Sequence, residues 1–246
     1  MTIIPRRATL ISSVLSALLL GSSGNALASL IFLDAEEFQG TGLGAVNTIL
    51  TMSSQGATTT ESGCVARSTD GSADITGADA CGRFPEVSMF TGGDELAINK
   101  TETFGDLGIA SAAELRIIFN ATEPAGNSIT LNQLVMGIFT PDGDLVFSAT
   151  TADPVVFPSS NPGIGNAGFV FGLDAMQAAA AASFITADNR IGLAAMASDA
   201  TGGPETFFVA PAQQVLPEPA SAALLGLGAL SLLGFRRRRA VTRNSR

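Results

Sequence analysis

Between residues 29 and 212, apolar runs of strand length alternate with turn signals, and this alternation restricts the chain to a β-rich fold more than any other feature does. The clearest case is Leu134 to Thr140 and Leu145 to Ser148, which flank Pro141-Asp142-Gly143-Asp144. Proline presets φ for a turn there and glycine supplies the left-handed position, so a β-hairpin is expected. Further strands are expected at Ser29 to Leu33, Val46 to Met52, Leu115 to Phe119 and Phe169 to Phe171, with short extended pieces at Glu95 to Asn99 and Glu102 to Phe104. Arg190 to Ser198 and Glu205 to Ala210 surround Thr201-Gly202-Gly203-Pro204 and read as a second hairpin. Capping-box spacing at Ser111-Ala112-Ala113-Glu114 and at Asp174-Ala175-Met176-Gln177 adds a brief helical turn and a short alanine-rich helix. The expected fold class is all-β: an antiparallel β-sandwich with one or two short helices. No repeat of fixed period is visible, which disfavours a solenoid or propeller.

Both ends of the chain differ from this body. Arg6 and Arg7 precede the apolar run Leu10 to Leu20, which leads to Ala26-Leu27-Ala28. A basic start, an apolar stretch and a small-x-small site in that order mark a signal peptide over residues 1–28. Cleavage by signal peptidase after Ala28 makes Ser29 the first mature residue.

At the other end, residues 213–246 form a separate segment. Pro217-Glu218-Pro219 is followed by the small and apolar residues Ala220 to Phe235, then by Arg236, Arg237, Arg238 and Arg239. As a helix the apolar part reaches about 24 Å, short of a hydrocarbon core of ~30 Å. Adjacent arginines do not cross a bilayer, so the C-terminus is expected to stay cytoplasmic with the body outside. Pro-Glu-Pro, a Leu/Gly/Ala-rich helix and an arginine cluster in this order resemble the PEP-CTERM sorting signal of Gram-negative, biofilm-forming bacteria. The resemblance covers Val215 to Arg239, roughly a tenth of the chain. It implies transient anchoring in the inner membrane and trimming by an exosortase. It implies no particular activity, because such tails accompany many different domains. An ordinary, unprocessed single-pass anchor is the competing reading.

Once the ends are set aside, the charge balance changes. Residues 29 to 218 hold all 22 acidic side chains but only Arg67, Arg83, Lys100, Arg116 and Arg190, a formal charge of −17. A body this acidic repels nucleic acid and anionic lipid. The chain has no His, so Ser–His triads, histidine zinc sites and histidine general bases are excluded. With no Trp or Tyr, an aromatic sugar-binding platform is missing as well. The fifteen Phe can only pack and are expected in the core.

Cys64 and Cys81 are the only cysteines, and they bracket a polar, glycine-containing excursion running from Thr58 to Arg83. In an exported chain they are expected to form a disulfide that pins this excursion. No cofactor is called for. Calcium is the one ion the acidic turns could attract: Asp142 and Asp144 are the candidate ligands, and Asp70, Asp74 and Asp79 crowd the cysteine loop. No spaced EF-hand loop supports this, and Asp and Gly also favour turns for conformational reasons. Glu36-Glu37, Asp94-Glu95 and Glu102 could supply paired carboxylates for glycoside hydrolysis, which requires a set separation across a cleft. Gly40-Thr41-Gly42-Leu43-Gly44 lacks a P-loop lysine and reads as turn or edge-strand glycine.

The leading expectation is therefore a non-catalytic, exported protein of the cell surface or extracellular (biofilm) matrix. The alternative is an exopolysaccharide-binding module, with calcium as an optional aid, and a secreted hydrolase ranks third. The expected partners are signal peptidase, exosortase, the membrane before processing and, for the alternative, exopolysaccharide; nucleic acid is not among them.

Overall fold

A computed structural model of the chain describes residues 29–36, 48–53, 58–87, 99–124, 126–158 and 168–212. The signal peptide, residues 1–28, the sorting segment from residue 213 on, Gly40 to Gly44, Glu37, Asp94 and Glu95 lie outside these residues.

The elements follow in the order β1 (Ser29–Glu36), β2 (Thr48–Met52), β3 (Glu61–Arg67), β4 (Asp74–Thr76), α1 (Gly77–Cys81), β5 (Glu102–Thr103), α2 (Phe104–Leu107), β6 (Leu115–Asn120) and β7 (Ser128–Phe139). They continue with β8 (Leu145–Thr151), β9 (Val155–Pro158), β10 (Gly168–Leu173), α3 (Ala175–Ala181), β11 (Arg190–Ser198) and β12 (Glu205–Pro211). The strands join in one twelve-stranded sheet of order β2-β12-β6-β10-β1-β8-β7-β11-β3-β4, with β5 beside β11 and β9 beside β7. The sheet is mixed and curled. Its β1–β8 junction is parallel, pairing Ser29 with Thr150 and Leu30 with Thr151, whereas the other pairings are antiparallel. The β-rich expectation holds, but the strictly antiparallel one does not, and three short α-helices occur among the described residues where one or two were expected.

Curling closes the two halves over a phenylalanine core. Phe157 of β9 stacks on Phe169 of β10 with ring centroids 4.0 Å apart, and Phe119 of β6 stacks on Phe207 of β12 at 4.8 Å. Phe157 also meets Phe119 at 5.8 Å, so an edge strand of one half is fastened to the middle of the other. Stacked and edge-to-face rings add about 0.5–1.5 kcal/mol each beyond simple burial. A second, smaller core lies on the far face of β3 and β11, where Cys64, Ala66, Ala80, Cys81, Phe84, Val135, Phe139 and Ala194 pack together.

That second core corrects the reading of Thr58 to Arg83. The segment is not a polar excursion: it contains β3, in which every residue but Arg67 is buried. Val65 faces the main core, while Cys64 and Ala66 face the segment from Ala80 to Phe84. Covered on both faces, the strand can be rich in small and polar residues and still be interior. The Cys64–Cys81 disulfide ties β3 to the end of α1, with a Cα–Cα separation of 5.2 Å.

The first expected hairpin forms. β7 and β8 pair around the turn, with Gly143 at φ 90°. Gly143 is needed twice over, because a Cβ there would also lie 1.9 Å from Ser68 O. Facing it, Gly71 at φ 66° could not carry a Cβ without meeting Pro141 O at 2.0 Å. The hairpin tip and the turn after β3 are thus docked backbone to backbone, and Arg83 donates to Gly143 O.

The second expected hairpin does not form. Both strands exist, but β11 lies between β7 and β3, and β12 lies between β2 and β6. The connection is drawn across to the β6 side: Thr201 N donates to Glu123, and Gly203 N donates to Thr122 O at 3.1 Å. At α3, Asp174 caps as expected, its Oδ1 accepting from Gln177 N at 2.8 Å. Ser111 makes no side-chain cap, and Ala112–Glu114 is a single 3-10 turn.

Candidate functional site

Three glutamates converge where the β11–β12 connection crosses the curled sheet. Glu61 opens β3 opposite Ala197, Glu205 opens β12 opposite Met52, and Glu123 follows β6. Their relative exposures are 0 %, 0 % and 4 %, which is extreme for carboxylates because removing an ionised group from water is costly. Strand alternation puts them inside. Glu205 is in phase with the buried Phe207 and Val209, as Glu61 is with the buried Gly63 and Val65.

The three carboxyls are not equivalent. Glu123 is held by donors: Thr201 N reaches Oε1 at 3.0 Å and Oε2 at 3.1 Å, and Thr201 Oγ1 reaches Oε2 at 2.7 Å. Glu205 faces burial first, then a hydrogen-bonding contact with Glu61 and the nearby charges of Glu61 and Glu123, and together these push its pKa up to about 10. At neutral pH Glu205 therefore keeps its proton, and the pair behaves as a carboxylic acid bonded to a second carboxyl group.

Beside this cluster lies a cavity of about 370 Å³ lined by Thr59, Gly126, Asn127, Ser128, Asp199 and Thr201. Asn127 Nδ2 donates to Thr201 Oγ1 at 2.7 Å, and Thr130 Oγ1 donates to Asp199 Oδ2 at 2.9 Å. Among the described residues the wall therefore presents hydroxyls, an amide and one carboxylate, with no aromatic ring. Asp199 sits at φ 63°, a left-handed position that Asp tolerates better than most residues.

Chemically, this arrangement can hold a proton in the interior and offer polar groups at the surface above it. Glu61 and Glu205 cannot flank a glycosidic bond, since that chemistry needs two carboxyls several ångströms apart on an accessible cleft, and these are fully buried and in contact.

The residues singled out by sequence fare unevenly. Cys64 and Cys81 are joined. Asp142 and Asp144 are exposed on the β7–β8 turn, where the backbone rather than the carboxylates makes the contacts, Thr140 N donating to Asp144 O at 2.9 Å. Asp70 accepts from the hydroxyls of Ser68 and Ser72 and from Ser72 N, which holds its carboxyl well below the usual range. Asp74 accepts from Arg67 at 3.1 Å and from Thr101 Oγ1 at 2.6 Å. Asp79 is exposed on α1. Among the described residues, no group of three or more His, Cys, Asp or Glu side chains is arranged to hold a metal ion. Glu102 is buried and paired with Lys100, so it is committed to structure.

Sequence reading missed Glu61, Glu123 and Glu205. The available signal was phase: an acid two residues before Phe207 and four before Val209 belongs to the inward face of its strand.

Comparison with protein-family models, with curated proteins and with solved structures gives no match. Among the described residues, no helix is long and apolar enough to cross a membrane.

Proposed function

We propose that this chain is an exported, non-catalytic protein of the bacterial surface or extracellular matrix, made with a cleaved leader and a sorting tail trimmed by an exosortase. The body acts as a display unit, a β-sandwich formed by the two halves of the curled sheet closing over the phenylalanine core. The observation that carries this reading is the buried disulfide between Cys64 and Cys81, which belongs in an oxidising compartment outside the cytoplasm. The burial of the Glu61–Glu205 carboxyl pair supports a structural role over hydrolysis. The −17 charge of residues 29 to 218 suits a soluble, extracytoplasmic surface.

The test compares the full chain with a version lacking residues 2–28 in a Gram-negative host, scoring thiols after denaturation. The full chain should yield a body with no free thiol, and the leaderless chain should yield two. A full chain that stays reduced in the cytoplasm would overturn the proposal.

One observation favours a second reading, an exopolysaccharide-binding module. The cavity of about 370 Å³ beside Thr201 presents Asn127, Ser128, Asp199 and two threonines, which are sugar-hydroxyl partners. Glycan-array binding lost in Asp199→Ala and Asn127→Ala would establish it, and an array with no signal would remove it.

A further inference from the structure

A second cavity, of about 380 Å³, lies where β1 meets β8, lined by Ser29, Glu86, Gln133, Thr150, Thr151 and Ala152. Among the described residues, Glu86 is the only titratable one in the lining; Asp153 follows Ala152 and is exposed. One oxygen of Glu86, Oε1, accepts from Ser148 Oγ, and the backbone carbonyl of Glu86 accepts from Gln133 Nε2 at 2.9 Å. The other, Oε2, is buried and receives no hydrogen bond among the described residues. A buried carboxylate oxygen without a donor is costly, so a cation is called for.

No side chain of the body supplies one. Its five basic residues are all engaged elsewhere: Arg67 with Asp74, Lys100 with Glu102, Arg83 with Gly143 O, Arg116 with the carbonyls of Ala113 and Leu115, and Arg190 with Thr101 O. The same cavity is lined by Ser29, where β1 begins and where the small-x-small site at Ala26 to Ala28 predicts cleavage. Hydrolysis of the Ala28–Ser29 amide adds one water and leaves a carboxylate on the departing leader. The new amine on Ser29 takes up a proton at neutral pH.

We propose that this cavity is the seat of the mature N-terminus: the α-ammonium of Ser29 enters it and donates to Glu86 Oε2, an ion pair that exists only after the leader is removed. The hydroxyls of Thr150 and Thr151 and the amide oxygen of Gln133 are the neighbouring acceptors for its remaining protons. Leader removal thereby locks β1 onto β8 at their parallel junction. The proposal rests on the reading of residues 1–28 as a cleaved signal.

The test uses the full chain and its Glu86→Gln variant, exported and purified, with N-terminal sequencing first. The ammonium raises its own pKa by pairing, so its stabilisation is fully present below the unfolded value of about 8 and is lost as pH rises through the higher folded value. Wild type should begin at Ser29 and melt roughly 3 °C above Glu86→Gln near pH 7, and the gap should close by about pH 10. Lys100 is common to both proteins and cancels. A Ser29 start with no gap, or with a gap that does not change with pH, would overturn the ion pair and leave the leader reading intact. A start at another residue would overturn both. If Glu86→Gln does not fold, titration of the ¹³C-methylated amine in wild type decides: a value above about 8 supports the pair and an ordinary value overturns it.

Discussion

Glu205 of β12 makes its side-chain contact with Glu61 of β3, although the two strands do not pair and stand far apart in the sheet order. The contact is a consequence of curling, which brings the β2–β12 end of the sheet against the β3 end. It places a protonated carboxyl inside the fold, and the pH response of the protein follows from that.

Glu205 has its folded pKa raised to about 10 from an ordinary value of 4.5. The folded state therefore holds a proton that the unfolded state has released, and this group's stabilisation is complete below the ordinary value and declines as pH rises toward the folded one. Urea midpoints should accordingly fall between about pH 5 and pH 9, against the common pattern of maximal stability near neutrality. Glu205→Gln keeps the shape and removes the ionisation, so it should flatten this decline and raise stability at pH 7 by about 1–3 kcal/mol.

Removing the disulfide should cost about 3 kcal/mol, since it closes a loop spanning a sequence separation of 17. Cys64→Ser with Cys81→Ser should lower the melting temperature and leave the β signature in circular dichroism unchanged below the transition. A pair of serines with no loss would place the stability of β3 in its two-sided packing alone.

Gly143→Ala meets two obstacles at once, a left-handed φ and Ser68 O at 1.9 Å from the new Cβ. A loss of about 2 kcal/mol or more is expected in denaturant unfolding. An alanine without cost would mean that the two docked turns move apart freely.

Calcium at the same turn has a separate prediction. Asp70 and Asp74 already accept bonds from their neighbours, leaving Asp142 and Asp144 without a third carboxylate among the described residues. Millimolar calcium should leave the melting temperature where it is. A rise abolished by Asp142→Asn would restore the calcium reading.

Much of this fold was legible because the responsible signals are local. The β7–β8 turn needs Gly143, Asp174 caps α3, and β10, β11 and β12 read as apolar strands bounded by turn residues. Pairing was not legible where it depends on distant groups. Thr201-Gly202-Gly203-Pro204 signals a reversal, but the bonds from Thr201 to Glu123 decide that the chain changes halves instead of folding back on β11. β3 escaped notice because Ser62, Gly63 and Cys64 resemble a loop, and only the covering of its second face by Phe84 makes it interior. The glutamate cluster was hidden for a related reason: an acid at a strand end reads as solvent-facing until the curl of the sheet is known.

The central claim, export followed by removal of both ends, is tested most directly by mapping the termini of the protein recovered from cells with and without an exosortase. The account predicts a chain starting at Ser29 in both strains, and loss of the arginine tail, Arg236 to Arg239, only where the exosortase is present. A recovered protein that retains residues 1–28, or that keeps its arginine tail in the exosortase-bearing strain, would contradict it.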